Sequence, residues 1–149
     1  MPETQRIQIT FPSKVEFLNL VHTVTDEMAR MAGFDGDDSL NISLAVREAA
    51  TNALIHGNGR DETKIVHVEF GVGDGSISVD IEDQGTGFNP EDVDDPRDPT
   101  NVGRTSGRGI FLMRSFMDAV TFRKSNSDGM HVTMLKSVGR DNTQEDSKS

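Results

Sequence analysis

Residues 48–58 read EAATNALIHGN, and this segment decides how the rest of the chain is interpreted. Leu44, Glu48, Asn52 and His56 recur every four residues, so on a helix they form one row beside the apolar stripe. A carboxylate in that position can act as a general base or orient a hydroxyl group. An asparagine oxygen is a hard ligand of the kind that Mg²⁺ takes. Without further context, Glu48 and Asn52 fit two solvent-facing helix residues better than a site.

A second polar group stands at residues 83–88, which read DQGTGF directly after the strand pattern SISVDIE. Asp83 ends that strand, where its carboxylate can accept a hydrogen bond from an exocyclic amine. Gly85 and Gly87 allow the backbone to turn tightly and to approach a ligand closely. A third element, Gly-Arg-Gly at 107–109, precedes an apolar helical stretch, and helix N-termini present free N–H groups to phosphate. Taken singly, the glycine pairs are explained as well by a plain turn and a flexible hinge.

The composition favours one soluble domain. The chain has 149 residues, a formal net charge of −10 and a pI of about 4.7, which argues against duplex nucleic acid and anionic membranes as partners. It contains no cysteine, so disulfides and thiolate metal sites are excluded. The N-terminal segment lacks an apolar signal core, and no apolar run is long enough to cross a bilayer. We therefore expect a cytoplasmic protein.

Hydrophobic periodicity predicts five strands and three helices. The strand patterns occur at residues 6–11, 64–72, 76–83, 119–123 and 130–136. The helical patterns run from a capping box at Ser13 and Glu16 to about Met31, from about Asp38 to His56, and over residues 109–120, with a turn at 33–38 and Gly57 as a terminator. This order predicts the α+β class, a two-layer α/β sandwich with a mixed, largely antiparallel sheet and about three helices on one face.

Residues 84–109 contain little apolar material and many Gly, Pro, Asp and Asn residues. A loop of this length inside a compact domain is usually functional or disordered. We expect a single domain over residues 1–138, followed by a polar, disordered tail over residues 139–149. The three polar elements stand in order on a helix, after a strand and at a helix start, and three such coincidences are much rarer than one.

Together these segments resemble the motifs of the GHKL, or Bergerat-type, ATP-binding fold. Residues 48–58 are similar to its N box, DQGTGF at 83–88 to its G1 box, and SGRGIFLM at 106–113 to its G2 box. Within that superfamily the chain is similar over residues 6–136 to bacterial anti-sigma factor serine/threonine kinases of the RsbW and SpoIIAB type. The resemblance implies a histidine-kinase-like domain that uses ATP and Mg²⁺.

The resemblance also implies a role for individual residues. Glu48 corresponds to the general base, Asn52 to the Mg²⁺ ligand and Asp83 to the aspartate that bonds the adenine amine. Residues 89–106 correspond to the ATP lid. The resemblance further implies that four glycines meet the nucleotide, namely Gly85, Gly87, Gly107 and Gly109, and Arg108 is an additional candidate for cofactor binding.

One departure from the family concerns Met130, which follows Gly129 where the family often has a threonine. We expect Thr133 to share a strand face with Met130, so that Thr133 could contribute to the cofactor pocket. Arg104 and Arg108 could reach the terminal phosphate or could serve only the solubility of the loop. His56 fits a helix-end residue, because a cation suits that end of the helix dipole.

The function that the resemblance implies is that of an ATP-dependent anti-sigma factor kinase. Such an enzyme phosphorylates a serine or threonine of a STAS-domain anti-anti-sigma protein, sequesters a sigma factor and often forms a homodimer. An alternative is a nucleotide-responsive binding module that sequesters a regulator with little or no kinase activity, and a third is a catalytic module for another signalling protein. Signatures of P-loop proteins, eukaryotic-type kinases and zinc sites are missing from the sequence.

Overall fold

The computed structural model describes residues 5–85, 105–125 and 129–138, without the side chains of residues 105–108. In chain order the elements are β1 (Gln5–Pro12), α1 (Phe17–Ala32), α2 (Gly36–Thr51), a π-helical turn (Asn52–Gly57), β2 (Ile65–Gly73), β3 (Ser76–Glu82), α3 (Thr105–Phe116), β4 (Ala119–Lys124) and β5 (Met130–Ser137). The five predicted strands and three predicted helices therefore form, with the third helix shifted by about one turn toward the N-terminus.

The strands make one five-stranded sheet in the order β1-β2-β3-β5-β4. Each pairing between these described strands is antiparallel, so this sheet is antiparallel throughout rather than mixed. The register aligns Ile9 with Val68, Val68 with Ile81 and Ile81 with Val132. Because side chains alternate along a strand, this register gathers the apolar residues on one face.

The core lies between that apolar face and the helices. Fully buried side chains come from both layers: Val21, Ile42, Val46, Leu54 and Met113 from the helical layer, and Val66, Val68, Phe70, Ile77, Val79, Ile81 and Met134 from the sheet. Burying one side chain of this size stabilises a fold by about 1.5–3 kcal/mol. This cluster lies on the apolar faces of β2, β3, α2 and α3 and fixes both layers around the site.

The start of α1 differs from the predicted capping box. Ser13 Oγ donates to the carbonyl oxygen of Lys64 at 2.8 Å instead of capping the helix, and Glu16 makes no side-chain cap. The capping prediction was wrong because the Ser13 hydroxyl is used in a hydrogen bond to Lys64, which directly precedes β2 and is distant in sequence. The helix ends at Gly33, whose φ of 101° is left-handed and suits glycine.

The start of α2 lies inside the predicted turn. Asp35 caps this helix by accepting a hydrogen bond from the Asp38 N–H at 2.8 Å, so the helix already begins at Gly36. Asp37 and Asp38 occupy the first turn, where acidic side chains complement the positive end of the helix dipole.

The helix that carries Glu48 and Asn52 ends in the π-helical turn. The Asn58 N–H bonds to the carbonyl oxygen of Ala53 at 2.8 Å, which is the i to i−5 pattern of a π-helix. Such turns are wider than α-helical turns and are frequent at functional sites. The wider turn ends the predicted row, and His56 is exposed to solvent.

Several predictions concern segments outside the described residues. They include most of the segment at 89–106, the tail at 139–149 and part of the connection between β4 and β5. In the part of the chain that the structure describes, no helix has the length and apolarity to cross a membrane.

Candidate functional site

The end of α2, the π-helical turn, β3, β4, β5 and α3 surround a small cavity of about 10 Å³. Its walls are mostly apolar and include two polar side chains, Asn52 and Asp83. The lining residues are Ala49, Asn52, Ala53, Ile81, Asp83, Met113, Phe122, Met130 and Val132. A mostly apolar cavity with a few convergent polar groups is the usual form of a small-molecule site. The fold thus brings together two residues that the sequence singled out in different segments.

Asp83 lines this cavity and is 2% exposed. Its Oδ1 accepts hydrogen bonds from the backbone N–H groups of Gly85 at 3.0 Å and Met130 at 3.1 Å. Burial raises the pKa of the Asp83 carboxyl above its ordinary value, and these two N–H donors oppose the shift only in part. The carboxyl is therefore held in one orientation and can meet an amine at a defined point.

Three glycines make room for Asp83, and each is required by close approach. A Cβ atom on Gly57 would overlap the Asp83 carboxylate, and one on Gly129 would overlap the Asp83 carbonyl oxygen. A Cβ atom on Gly85 would overlap the carbonyl oxygen of Gly57. The sequence identified Gly85 from its motif, but it offered Gly57 only as a helix terminator and gave Gly129 no steric role.

Asn52 lines the cavity from the first position of the π-helical turn and is 5% exposed. Its side-chain Nδ2 has no hydrogen-bond partner among the described residues. A buried polar group without a partner is costly to a fold and calls for an explanation. A phosphate oxygen in front of this amide would accept from its N–H₂ group, and the amide oxygen could then ligate a phosphate-bound Mg²⁺. Asn52 therefore fits the predicted role.

Glu48 lies one turn earlier on α2, half-buried, and faces α3 rather than lining the cavity. A Cβ atom on Gly109 would stand 2.9 Å from Glu48 Oε2, so this carboxylate packs against the first turns of α3. Gly107 belongs to the first turn of α3, where backbone N–H groups have no partner within the helix and can bind an anion, and Gly109 follows that turn. The structure thus brings Glu48 next to the segment that was predicted to meet the phosphates.

Sequence reasoning missed three features of the site. Asn58 is 2% exposed, and its Oδ1 accepts the Gln84 N–H at 2.7 Å, directly beside Asp83. Met113 and Phe122 form part of the cavity wall. No local sequence signal identifies Asn58, because its role depends on contacts with distant segments, whereas Met113 belongs to the apolar helical pattern of residues 109–120.

Thr133 does not lie in the cavity, and the expectation that it shares a face with Met130 was wrong. Residues three apart on a strand point to opposite faces. Met130 is buried and lines the cavity, whereas Thr133 Oγ1 donates to Asp80 Oδ1 at 2.6 Å on the open face of the sheet. His131 Nε2 contacts the same Asp80 oxygen at 2.9 Å, so both groups belong to a polar cluster behind the sheet.

The remaining predicted residues are only partly described. Gly87 and Arg104 lie outside the described residues, and for Arg108 only the backbone, in the first turn of α3, is described. Their roles toward a nucleotide stay predictions. Within the described residues, no group of three or more His, Cys, Asp or Glu side chains could hold a metal ion.

Comparisons with known proteins agree with this geometry. The profile of a family described as "Histidine kinase-like ATPase domain" matches residues 11–136 of the chain. The serine-protein kinase RsbW of Bacillus licheniformis is 30% identical over 141 residues, which cover 91% of this chain and 87% of that protein. The anti-sigma F factor of Clostridium perfringens strain SM101 is 33% identical over 106 residues, which cover 68% of this chain and 74% of that protein.

Two solved structures have the same fold. The RsbU and RsbW domains of Rv1364c from Mycobacterium tuberculosis align with a TM-score of 0.60 at 18% identity, and the blue-light activated histidine kinase EL346 of Erythrobacter litoralis aligns with a TM-score of 0.56 at 20% identity. These alignments cover 90% and 89% of this chain but only 32% and 43% of the other chains. At these identities the likeness shows the fold alone, and it confirms the predicted histidine-kinase-like sandwich.

Proposed function

The chain belongs to the histidine kinase-like ATPase domain family, and on that premise we propose that it is a protein kinase that transfers the γ-phosphate of Mg·ATP to a serine or threonine. The observation that carries the proposal is the mostly apolar cavity in which Asp83 and Asn52 converge. Relatives named serine-protein kinase RsbW, at about 30% identity over most of the chain, support this reaction.

Asp83 recognises the adenine base in this proposal. Its buried carboxylate accepts a hydrogen bond from the 6-amino group, and a base with a keto oxygen at that position is repelled. The walls formed by Ile81, Met113 and Met130 give the base an apolar surface on which to lie. Gly85 and Gly87 allow the backbone after β3 to approach the nucleotide.

The phosphates lie toward Asn52 and the start of α3. Asn52 holds the Mg²⁺ ion through its side-chain oxygen, and the bound cation neutralises charge on the phosphates. The first turn of α3, which contains Gly107 and Arg108, presents backbone N–H groups and the positive end of the helix dipole to the same phosphates, and Gly109 follows it directly. The unpartnered amide of Asn52 and the position of Gly109 beside Glu48 support this arrangement.

Glu48 acts as the general base. The hydroxyl oxygen of the acceptor forms a bond to the γ-phosphorus, the bond from that phosphorus to the ADP oxygen breaks, and the hydroxyl proton passes to the Glu48 carboxylate. Residues 48 and 52 lie one helical turn apart, so α2 holds the base and the cation ligand in a fixed relation.

The protein substrate that we propose is a STAS-domain anti-anti-sigma protein, and a sigma factor is the proposed target of sequestration. Support comes from the names of the relatives, which include RsbW and anti-sigma F factor. We also propose a homodimer, as the resemblance to this type of kinase implies. If phosphotransfer is missing although ATP binds, the binding-module alternative takes its place.

The first experiment is calorimetric titration of the protein with ATP and ADP, with and without Mg²⁺. We expect ATP binding that Asp83→Asn abolishes, because the amide oxygen would accept from the two N–H donors and would leave an N–H₂ donor, instead of a carboxylate oxygen, facing the amine of the base. Asp80→Asn is the matched control, because Asp80 lies on the same strand but faces the open side of the sheet. Equal binding by wild type and Asp83→Asn would disprove the assignment of the base site.

Two substitutions on α2 and its π-helical turn then separate cation binding from proton transfer. Asn52→Ala should remove the Mg²⁺ dependence of ATP affinity with little loss of stability, because its Nδ2 has no described partner to lose. Glu48→Gln should bind Mg·ATP normally but lose phosphotransfer to the acceptor. Asn41→Ala, on the same helix, serves as the control. Loss of ATP binding in Glu48→Gln would show that Glu48 binds nucleotide instead of acting as a base.

A further inference from the structure

Asn58 follows the π-helical turn directly, and the proposed reaction gives it no part. Its side chain is almost fully buried, at 2% exposure. Both donors and the acceptor of its amide are used: Nδ2 donates to Ser13 Oγ and to the Ile65 carbonyl oxygen, each at 2.9 Å, and Oδ1 accepts from the Gln84 N–H at 2.7 Å. This pattern fixes the orientation of the amide, because only the nitrogen side can serve the two acceptors.

These bonds join segments that are distant in sequence. Ser13 follows β1, Ile65 opens β2 and Gln84 follows β3. Ile65 and Gln84 are linked a second time, because the Ile65 N–H donates to Gln84 Oε1 at 2.7 Å. Asn58 is therefore the centre of a hydrogen-bond network that connects the end of the π-helical turn to the loop after β3.

This hydrogen-bond network holds the peptide group that follows Asp83 in place. On one side the Asp83 N–H donates to the carbonyl oxygen of Met130 at 3.0 Å, and on the other side the Gln84 N–H is held by Asn58. Gly57, the residue before Asn58, packs on the Asp83 carboxylate. The backbone on both sides of Asp83 is thus fixed, and Asn58 supplies the contact on the C-terminal side.

We propose that Asn58 is a positioning residue for base selection, which sets the direction of the Asp83 carboxylate through the Gln84 peptide. The inference rests on the proposed function, in which Asp83 reads the 6-amino group of adenine. Removing the amide leaves the part-buried Gln84 N–H without its acceptor and allows the peptide to turn. Selectivity then falls because a carboxylate that can move distinguishes an amino group from a keto group poorly.

The test compares the dissociation constants of ATP and inosine triphosphate, which carries a keto oxygen in place of the 6-amino group. Wild type should prefer ATP, and Asn58→Ala should lose this preference by about tenfold, mainly through weaker ATP binding. Ser13→Ala is the matched control. It removes a bond at the other end of the same amide and should lower stability to urea while keeping the selectivity of wild type.

The selectivity ratio separates positioning from a merely structural role. The inference would be overturned if Asn58→Ala weakened the binding of both nucleotides by the same factor. It would also be overturned if Ser13→Ala lost as much selectivity as Asn58→Ala does. If Asn58→Ala is too unstable to titrate, Asn58→Ser is judged by the same ratio. The proposed base site, and the inference with it, would be overturned if the wild-type protein bound ATP and inosine triphosphate with equal affinity and the Asp83→Asn variant bound both as the wild type does. If Asp83→Asn lost the preference for ATP but Asn58→Ala kept it, the inference about Asn58 would be overturned and the proposed base site would stand.

Discussion

At the scale of single residues, the buried Asp83 carboxyl links function to stability. Its pKa is raised above the ordinary value of 3.8 mainly by burial. Between that value and the raised one, the folded protein holds a proton that the unfolded chain has lost, so this group's contribution to stability falls as pH rises. Asp83→Asn keeps an oxygen acceptor for the two N–H donors and has no charge to bury. We expect it to be at least as stable as wild type at neutral pH while losing ATP binding.

Urea unfolding of both proteins from about pH 3.5 to about pH 7.5 measures this effect. The advantage of Asp83→Asn over wild type should grow with pH across the lower part of the range and then level off. Other titrating groups cancel in the difference between the two proteins. A difference that stays constant with pH would contradict a raised pKa for Asp83.

The glycines around Asp83 allow a second prediction at this scale. Gly129→Ala should destabilise the fold by about 2 kcal/mol or more, because its Cβ atom would meet backbone rather than a flexible side chain. Gly36→Ala is the control: nothing lies within 4 Å of its Cβ position, and alanine in a helix is favoured over glycine by up to about 1 kcal/mol. Similar urea midpoints for the two variants would contradict the prediction and would show that the backbone at Gly129 can shift to accommodate the Cβ atom.

At the scale of elements, periodicity predicted every described helix and strand, since alternating or helical apolar patterns reflect one buried face. It failed where a distant contact competes with local preference. Ser13 has the spacing of a capping box, yet it bonds to Lys64 across the sheet. The π-helical turn was unpredictable for the same reason, because Gly57 and Asn58 are held by Asp83 and Gln84.

The start of α2 gives a prediction for an element. Asp35→Ala should lower the free energy of unfolding by about 1 kcal/mol, because the Asp38 N–H loses its cap. ATP affinity should be unchanged, since the site lies at the opposite end of the helix. Asp37→Ala, in the same turn, removes a charge without removing a cap. Equal losses in the two variants would assign the effect to the helix dipole instead.

At the scale of the whole molecule, the sequence predicted the fold class and the strands but could not give the order of the strands in the sheet. Local patterns show that β4 and β5 form a hairpin, and they do not show that β5 rather than β4 lies beside β3. This placement matters for the site, because it brings Met130 into the cavity and Thr133 to the open face. The order of the three motifs led to the family, whereas the exact shape of the base pocket required the packed structure.

The overall charge gives the last prediction. The chain carries 25 acidic and 15 basic residues, a net charge of −10, so mutual repulsion opposes the compact state. Ion pairs such as Arg6–Glu69 and Arg30–Asp26 are exposed and contribute about 0–1 kcal/mol each. Screening by salt should therefore weaken the repulsion among the acidic side chains more than it weakens the attraction within the ion pairs. Raising sodium chloride from about 20 mM to about 300 mM shortens the Debye length from ~20 Å to ~6 Å and should raise the urea midpoint. A lower midpoint in salt would mean that the ion pairs outweigh the net charge.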